Sequence, residues 1–161
     1  MEHITSSKRW LDYRTATTIV CWLGEHPYEP ITYGVLAQKM ASIFGEDPIH
    51  PLGFRCSLGR IQDECRHFGE PDDSAPCLPA LVVTKATGRP GEGFYGVYCE
   101  NRGKDPNDLD EHDRDALLES EQRQCAEYTD WSSFLEHLSE LHQRALEKER
   151  SSRAGSSVKP K

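Results

Sequence analysis

The stretch LPALVVTKATGRPGEGFYGVY, residues 78–98, predicts a β-hairpin on which the other elements are arranged. It begins with an apolar run at 81–83, and aromatic and β-branched residues return at 94–98. Turn-forming residues fill 87–91 between them, and Pro90 has no amide proton to donate to a strand ladder. We therefore expect two strands joined by an irregular tip.

Three helices are predicted before this hairpin. The first covers about residues 8–23 and ends at Gly24, where a glycine favours helix termination. The second begins at a capping Thr32 and carries an apolar face as far as Gly45. The third is indicated by apolar residues spaced three, four and three apart, namely Leu58, Ile61, Cys65 and Phe68.

Three helices followed by a hairpin is the order of a winged helix, in which the third helix enters the major groove of DNA. The predicted fold class is therefore α+β, a winged-helix-like unit with its wing at Ala86–Glu92. A further pair of helices is indicated by the apolar residues of 117–128 and by the stripe that follows the capping Asp130. We expect a single domain over residues 1–150 and a disordered tail at 151–161, which lacks apolar anchors.

Part of this region resembles a known family. Residues 32–37 are Thr-Tyr-Gly-Val-Leu-Ala, Gly59-Arg60 lies in the following helix, and a Gly-rich close follows at 88–96. Over about residues 28–98 the chain resembles the winged-helix domain of the alkylguanine-DNA alkyltransferases and their non-catalytic alkyltransferase-like relatives. The family's Pro-Cys-His-Arg motif supplies the alkyl-accepting thiolate, and this chain has Leu-Pro-Ala-Leu-Val at 78–82 instead. The resemblance thus implies DNA binding without alkyl transfer.

Seven residues are candidates for DNA contact. Basic and amide side chains on the third helix and the wing are suited to phosphates and a base edge. A tyrosine at the start of the second helix is suited to pressing on a phosphate or turning out a nucleotide. The competing interpretations are a solvated helix face and a tyrosine of the core. The candidates are Tyr33, Arg55, Arg60, Gln62, Arg66, Lys85 and Arg89.

The charge of the chain favours a second function class. The 161 residues carry a net charge of −8, and residues 101–150 contain seven Lys/Arg against fourteen Asp/Glu. Strong non-specific nucleic-acid binding usually needs a basic surface. The alternative is therefore an acidic protein-binding module whose C-terminal helices or Gly/Pro tip dock a partner, as in an accessory or inhibitor protein of bacterial or phage defence and counter-defence.

Catalytic and metal sites are not indicated. Cys56, Cys65, His67 and Cys77 lie in one short span but contain no Cys-x-x-Cys pair, so free thiols are favoured over zinc. Cys65 and His67 are two apart on a helix and would point in different directions. We predict no catalytic residue, metal or cofactor, and the third possibility is an enzyme whose site is assembled from distant positions, for instance His50 or His67 with Asp63 and Cys77.

The amino-terminal residues MEHITSSKRW lack the long apolar run of a signal peptide, and no apolar stretch reaches membrane-spanning length. A cytoplasmic protein without a membrane partner is therefore predicted. The sequence does not indicate the oligomeric state.

Overall fold

Helix α1 (Ser6–Glu25) is central to the structure, a computed structural model that describes residues 3–69 and 74–157. Its buried Ala16, Ile19 and Leu23 recur at helical spacing, and α1 packs against the second, third and sixth helices. The other helices are α2 (Tyr33–Phe44), α3 (Arg55–His67), α4 (Glu92–Glu100), α5 (Glu111–Glu127) and α6 (Trp131–Ser157).

A parallel pair of two-residue strands completes the architecture. Strand β1 (Ile31–Thr32) pairs with β2 (Val82–Val83) in the register Ile31 to Val82 and Thr32 to Val83. Parallel strands need a long crossover, and here α2 and α3 lie within it. The α+β class is confirmed, with helices as the dominant elements.

The predicted β-hairpin is wrong. Residues 94–98, the expected second strand, lie within helix α4, and β2 pairs with β1 rather than with a following strand. The aromatic residues that suggest a strand also fit a helix, because Phe94, Tyr95 and Cys99 lie on one buried side of α4. The predicted wing is instead a turn that leads into α4, so the winged-helix arrangement is not confirmed.

That turn is closed by its own hydrogen bonds. The Thr84 amide donates to the Arg89 carbonyl at 2.8 Å, and the Gly88 amide donates to the Thr84 carbonyl at 2.8 Å. Gly88 has a φ of +69°, which glycine adopts without steric cost. The turn-forming residues predicted at this position are therefore confirmed as a turn, although it does not join two strands of a hairpin.

Local signals predicted both ends of α2, whereas Gly24, the expected end of the first helix, lies inside α1. Thr32 caps α2 by accepting from the Val35 amide at 3.3 Å, and Gly45 ends it in the left-handed conformation. Helix α6 continues past the predicted domain limit at residue 150, as far as Ser157. Residues 158–161 of the predicted tail lie outside the described residues.

The C-terminal helices cover two sides of the unit. Phe134 and Leu138 of α6 are buried in the main core beside α1, and Leu118 of α5 joins a smaller cluster with Phe94 and Tyr95 of α4. Helix α5 therefore stands behind α4 and the turn that precedes it. None of the helices described is long and apolar enough to cross a membrane.

Candidate functional site

A groove of about 720 Å³ opens between α3 and α4, and we call it the α3–α4 groove. The amino end of α2, the Pro51–Phe54 3₁₀ turn and the turn after β2 complete its walls. Its lining is predominantly apolar and includes Leu52, Leu58, Pro79, Pro90, Phe94 and Val97. A volume of this size is typical of pockets for small organic groups.

Helix α3 contributes the long wall because of its residue spacing. Arg55, Gly59 and Gln62 follow one another at helical intervals and therefore lie on one side of α3, toward the groove. Gly59 keeps this wall open, since an added β-carbon would meet only Val97 Cγ2, at 3.9 Å. Gln62 is 1% exposed and donates from Nε2 to the Phe94 carbonyl at 3.0 Å, which ties α3 to α4.

The opposite wall is the segment from Pro90 to Phe94. Gly91 precedes α4 as its N-cap, and a β-carbon placed on Gly91 would lie 3.6 Å from the Tyr33 hydroxyl. Tyr33 therefore lies beside this wall with its ring at the groove. The amino end of α4 also meets the groove, and the first amides of a helix have no intrahelical acceptor.

Two cations on the rim are available to a ligand. Arg55 and Lys85 are both exposed, and neither forms an ion pair within the part of the chain that the structure describes. Glu92 is the acidic residue of the lining, and Arg114 of α5 pairs with it at 3.0 Å. The rim is thus locally basic although the protein is acidic overall.

Arg60 lies away from this groove. Its guanidinium donates from Nε to Asp12 Oδ2 and from Nη2 to Asp12 Oδ1, each at 2.8 Å. The buried Ser57 hydroxyl donates to the same carboxylate at 2.6 Å. Arg60 therefore joins α3 to α1 in a buried network, and the predicted reading surface of α3 is divided between two sides of the helix.

Arg89 is also engaged by carboxylates. Its Nη1 lies 2.8 Å from Glu111 Oε1 and its Nη2 lies 2.8 Å from Asp115 Oδ2, both on α5. The hydrogen bond with Glu111 and the charge of Asp115 raise the pKa of Arg89. This arginine belongs to the turn that forms the groove wall, but its charge is directed at α5.

The structure thus brings together part of the predicted set. Tyr33, Arg55, Gln62 and Lys85 line the groove, whereas Arg60, Arg66 and Arg89 do not. Sequence reasoning missed Leu52, which is 72% exposed at the groove. The sequence feature that could have indicated Leu52 is its position as an apolar residue between Pro51 and Gly53.

The buried thiols do not form a reactive site. Burial raises the pKa of Cys65 to about 12 and also raises those of Cys77 and Cys125, so these thiols stay protonated at neutral pH. His67 directs Nδ1 to the Asp63 carbonyl at 2.8 Å rather than to a thiol. Within residues 3–69 and 74–157, no group of three or more His, Cys, Asp or Glu side chains is placed to hold a metal ion.

Comparisons with known proteins supply no relative. No protein-family model matches the chain, and neither a curated protein nor a solved structure matches it. The alkyltransferase-like relationship therefore stays a prediction.

Proposed function

We propose that the protein is a non-catalytic DNA-binding protein that holds a base turned out of the duplex in the α3–α4 groove. The observation that carries this proposal is the combination of a large apolar groove with two exposed cations on its rim, Arg55 and Lys85, which have no ion-pair partner among the described residues. A nucleotide has the matching chemistry, because its base has apolar faces and its phosphates are anionic.

The apolar lining supports the base. Bases that leave the stack are held by stacking on aromatic and apolar side chains and by hydrogen bonds to their edges. Tyr33 and Phe94 line the groove and supply the aromatic surface, and Gln62 holds the wall in place through its bond to the Phe94 carbonyl. The volume of about 720 Å³ leaves room for a modified base and its sugar.

The rim supports the phosphates on either side of that base. Arg55 lies on α3 and Lys85 lies on the turn after β2, so the two cations approach from different elements. Phosphate contacts of this kind position the protein on DNA without reading sequence. The amino end of α4 adds amide donors at the same place, and helix amino ends favour anions.

Leu52 supports the opening of the duplex. Its side chain is 72% exposed, and the 3₁₀ turn that carries it is anchored by buried Phe54. The Leu52 amide donates to His50 Nδ1 at 3.1 Å, which fixes the tip. Apolar side chains presented in this way are used by DNA-bending proteins to separate stacked bases.

The absence of catalysis is part of the proposal. Pro79, in the segment that corresponds to the Pro-Cys-His-Arg motif of the resembling family, lines the groove and supplies no nucleophile. Cys56 is an exposed thiol of the groove, and among the described residues no histidine lines the groove beside it to act as its base. The protein is thus proposed to recognise a base rather than to change it.

Fluorescence anisotropy tests the proposal. Labelled duplexes that are plain, mismatched or carry an alkylated guanine are titrated at two salt concentrations, with 2-aminopurine as a probe of base unstacking. We expect micromolar or tighter binding that weakens with salt, preference for duplexes with a weakened base pair, and a rise in 2-aminopurine fluorescence.

A matched pair of variants locates the site. Gly59→Leu fills the groove and should reduce binding at least tenfold, whereas Gly24→Leu places the same side chain in open space at an exposed position of α1. Equal binding by the two variants would refute the groove as the site. No binding by the wild-type protein at low salt would refute DNA binding and favour the acidic protein-binding alternative.

A further inference from the structure

Helix α5 holds the wall of the α3–α4 groove through charged contacts. Arg89, in the turn before α4, is bound by Glu111 and Asp115 at 2.8 Å each. One residue beyond Gly91, Glu92 is bound by Arg114 at 3.0 Å. The first turns of α5 therefore form ion pairs with the segment that runs from Lys85 to the amino end of α4.

Neither the turn before α4 nor helix α5 depends on these ion pairs for its position. The turn keeps its own bond between the Thr84 amide and the Arg89 carbonyl at 2.8 Å. Helix α5 is anchored separately by buried Leu118 and Cys125 and begins with a capping box formed by Asp110 and Asp113. Breaking the Arg89 contacts would therefore leave both elements in place.

The contacts are also easily exchanged. The Arg89 side chain is 39% exposed, and its partners Glu111 and Asp115 are 76% and 48% exposed. Ion pairs exposed to this degree are weak and are screened by salt. A guanidinium binds carboxylate and phosphate through the same forked arrangement of donors. A phosphate that approaches the groove rim can thus replace the carboxylates at Arg89.

On these grounds, and resting on the proposed function, we propose that Glu111 and Asp115 form an intramolecular latch that competes with DNA phosphates for Arg89. In the free protein the latch withholds a cation from the groove rim and presents two carboxylates beside it. A duplex that offers phosphates alone meets this competition, whereas a base that enters the groove adds the binding free energy needed to displace it. The latch therefore favours base-specific over non-specific binding.

The test compares two double variants with the same change in net charge. Glu111→Gln with Asp115→Asn opens the latch, and Glu119→Gln with Glu127→Gln neutralises two exposed carboxylates elsewhere on α5, where Glu119 pairs with Arg123. The latch variant should bind a plain duplex about three- to tenfold tighter, with a salt dependence steeper by about one released counterion. Its preference for a mismatched duplex should fall. The control variant should show smaller changes in affinity for the plain duplex, in salt dependence and in preference for the mismatched duplex.

A third substitution assigns the gain to Arg89. Adding Arg89→Gln to the latch variant should remove the extra affinity and the extra salt dependence, because the released cation is then missing. Circular dichroism and thermal unfolding establish that each variant is folded. If the double variant unfolds, the single variant Glu111→Gln replaces it in the titrations and should show part of the increase in affinity for the plain duplex.

The outcomes separate the latch from the proposed function. Equal tightening by both double variants would show a general charge effect and overturn the latch, as would weaker binding by the latch variant, which would mean that the contacts only position the turn. No binding by any variant would overturn both proposals.

Discussion

The Arg60 guanidinium is bound in a two-pronged arrangement by Asp12, with both N to O distances at 2.8 Å. Asp12 is 1% exposed and also accepts from the Ser57 hydroxyl. Arg9 of α1 lies 3.6 Å from Glu64 of α3 at the same helix pair. Arg60, one of the basic residues of α3 that were predicted to face DNA, therefore joins α3 to α1 instead.

Removing the acidic partner of this pair should destabilise the protein strongly. Asp12→Ala leaves Arg60 without a counter-ion in a largely buried place, a change that costs about 3 kcal/mol or more. Urea denaturation measures the free energy of unfolding, and Asp47→Ala, at an exposed position, is the control. A midpoint equal to that of the control would show that the pair contributes little to stability.

Removing the rim cations should weaken DNA binding uniformly across sequences. Arg55→Gln and Lys85→Gln each delete one phosphate contact, so each should lower the slope of log affinity against log salt by about one unit. Anisotropy titrations over a salt series give this slope. Lys148→Gln, at an exposed position of α6, is the matched charge control. An unchanged slope in the rim variants would exclude both residues from phosphate contact.

The six thiols should fall into two reactivity classes. Cys21 and Cys56 are exposed and should react promptly with a disulfide reagent, whereas buried Cys65, with a pKa raised to about 12, should react only after unfolding. Because Cys56 lines the groove, bound DNA should slow its modification and leave that of Cys21 unchanged. Peptide mapping by mass spectrometry assigns the sites. Equal protection of both thiols would place the DNA elsewhere.

Acid should release a contact between the two ends of the described chain. Glu149 of α6 accepts from the Ser6 hydroxyl and the Ser6 amide, each at 2.8 Å, and these bonds lower the pKa of Glu149. A folded-state pKa below the unfolded value of about 4.3 means that this stabilisation is complete above that value and is lost as pH falls through the folded-state pKa.

Glu149→Gln should therefore lower the melting temperature at pH 7 and have a smaller effect at pH 3. Thermal unfolding across this range provides the measurement, and Glu147→Gln, an exposed neighbour on α6, provides the control. A loss that is the same at both pH values would mean that the ionised carboxylate is not the stabilising form.

Local patterns predicted the elements whose signals lie within a few residues. The apolar spacing of α3 and the Thr32 cap of α2 predicted these helices, because helix periodicity and capping involve neighbours three or four positions apart. Helix α4 was not predicted, since its Phe, Tyr and Val residues suit a strand as well as a helix. In the structure this segment is a helix that packs against α3, and the Gln62 side chain of α3 donates a hydrogen bond to the Phe94 carbonyl.

The candidate site likewise combines features that local sequence predicted with features that depend on tertiary contacts. The sequence by itself determined the position of the turn around Gly88, the limits of α2 and, as candidates, four residues of the groove, namely Tyr33, Arg55, Gln62 and Lys85. Only the tertiary structure decided which cations are free, because Arg60 meets a carboxylate 48 residues away and Arg89 meets carboxylates 22 and 26 residues away. Side-chain spacing along one helix carries no information about such distant partners, and the charge that a surface presents depends on them.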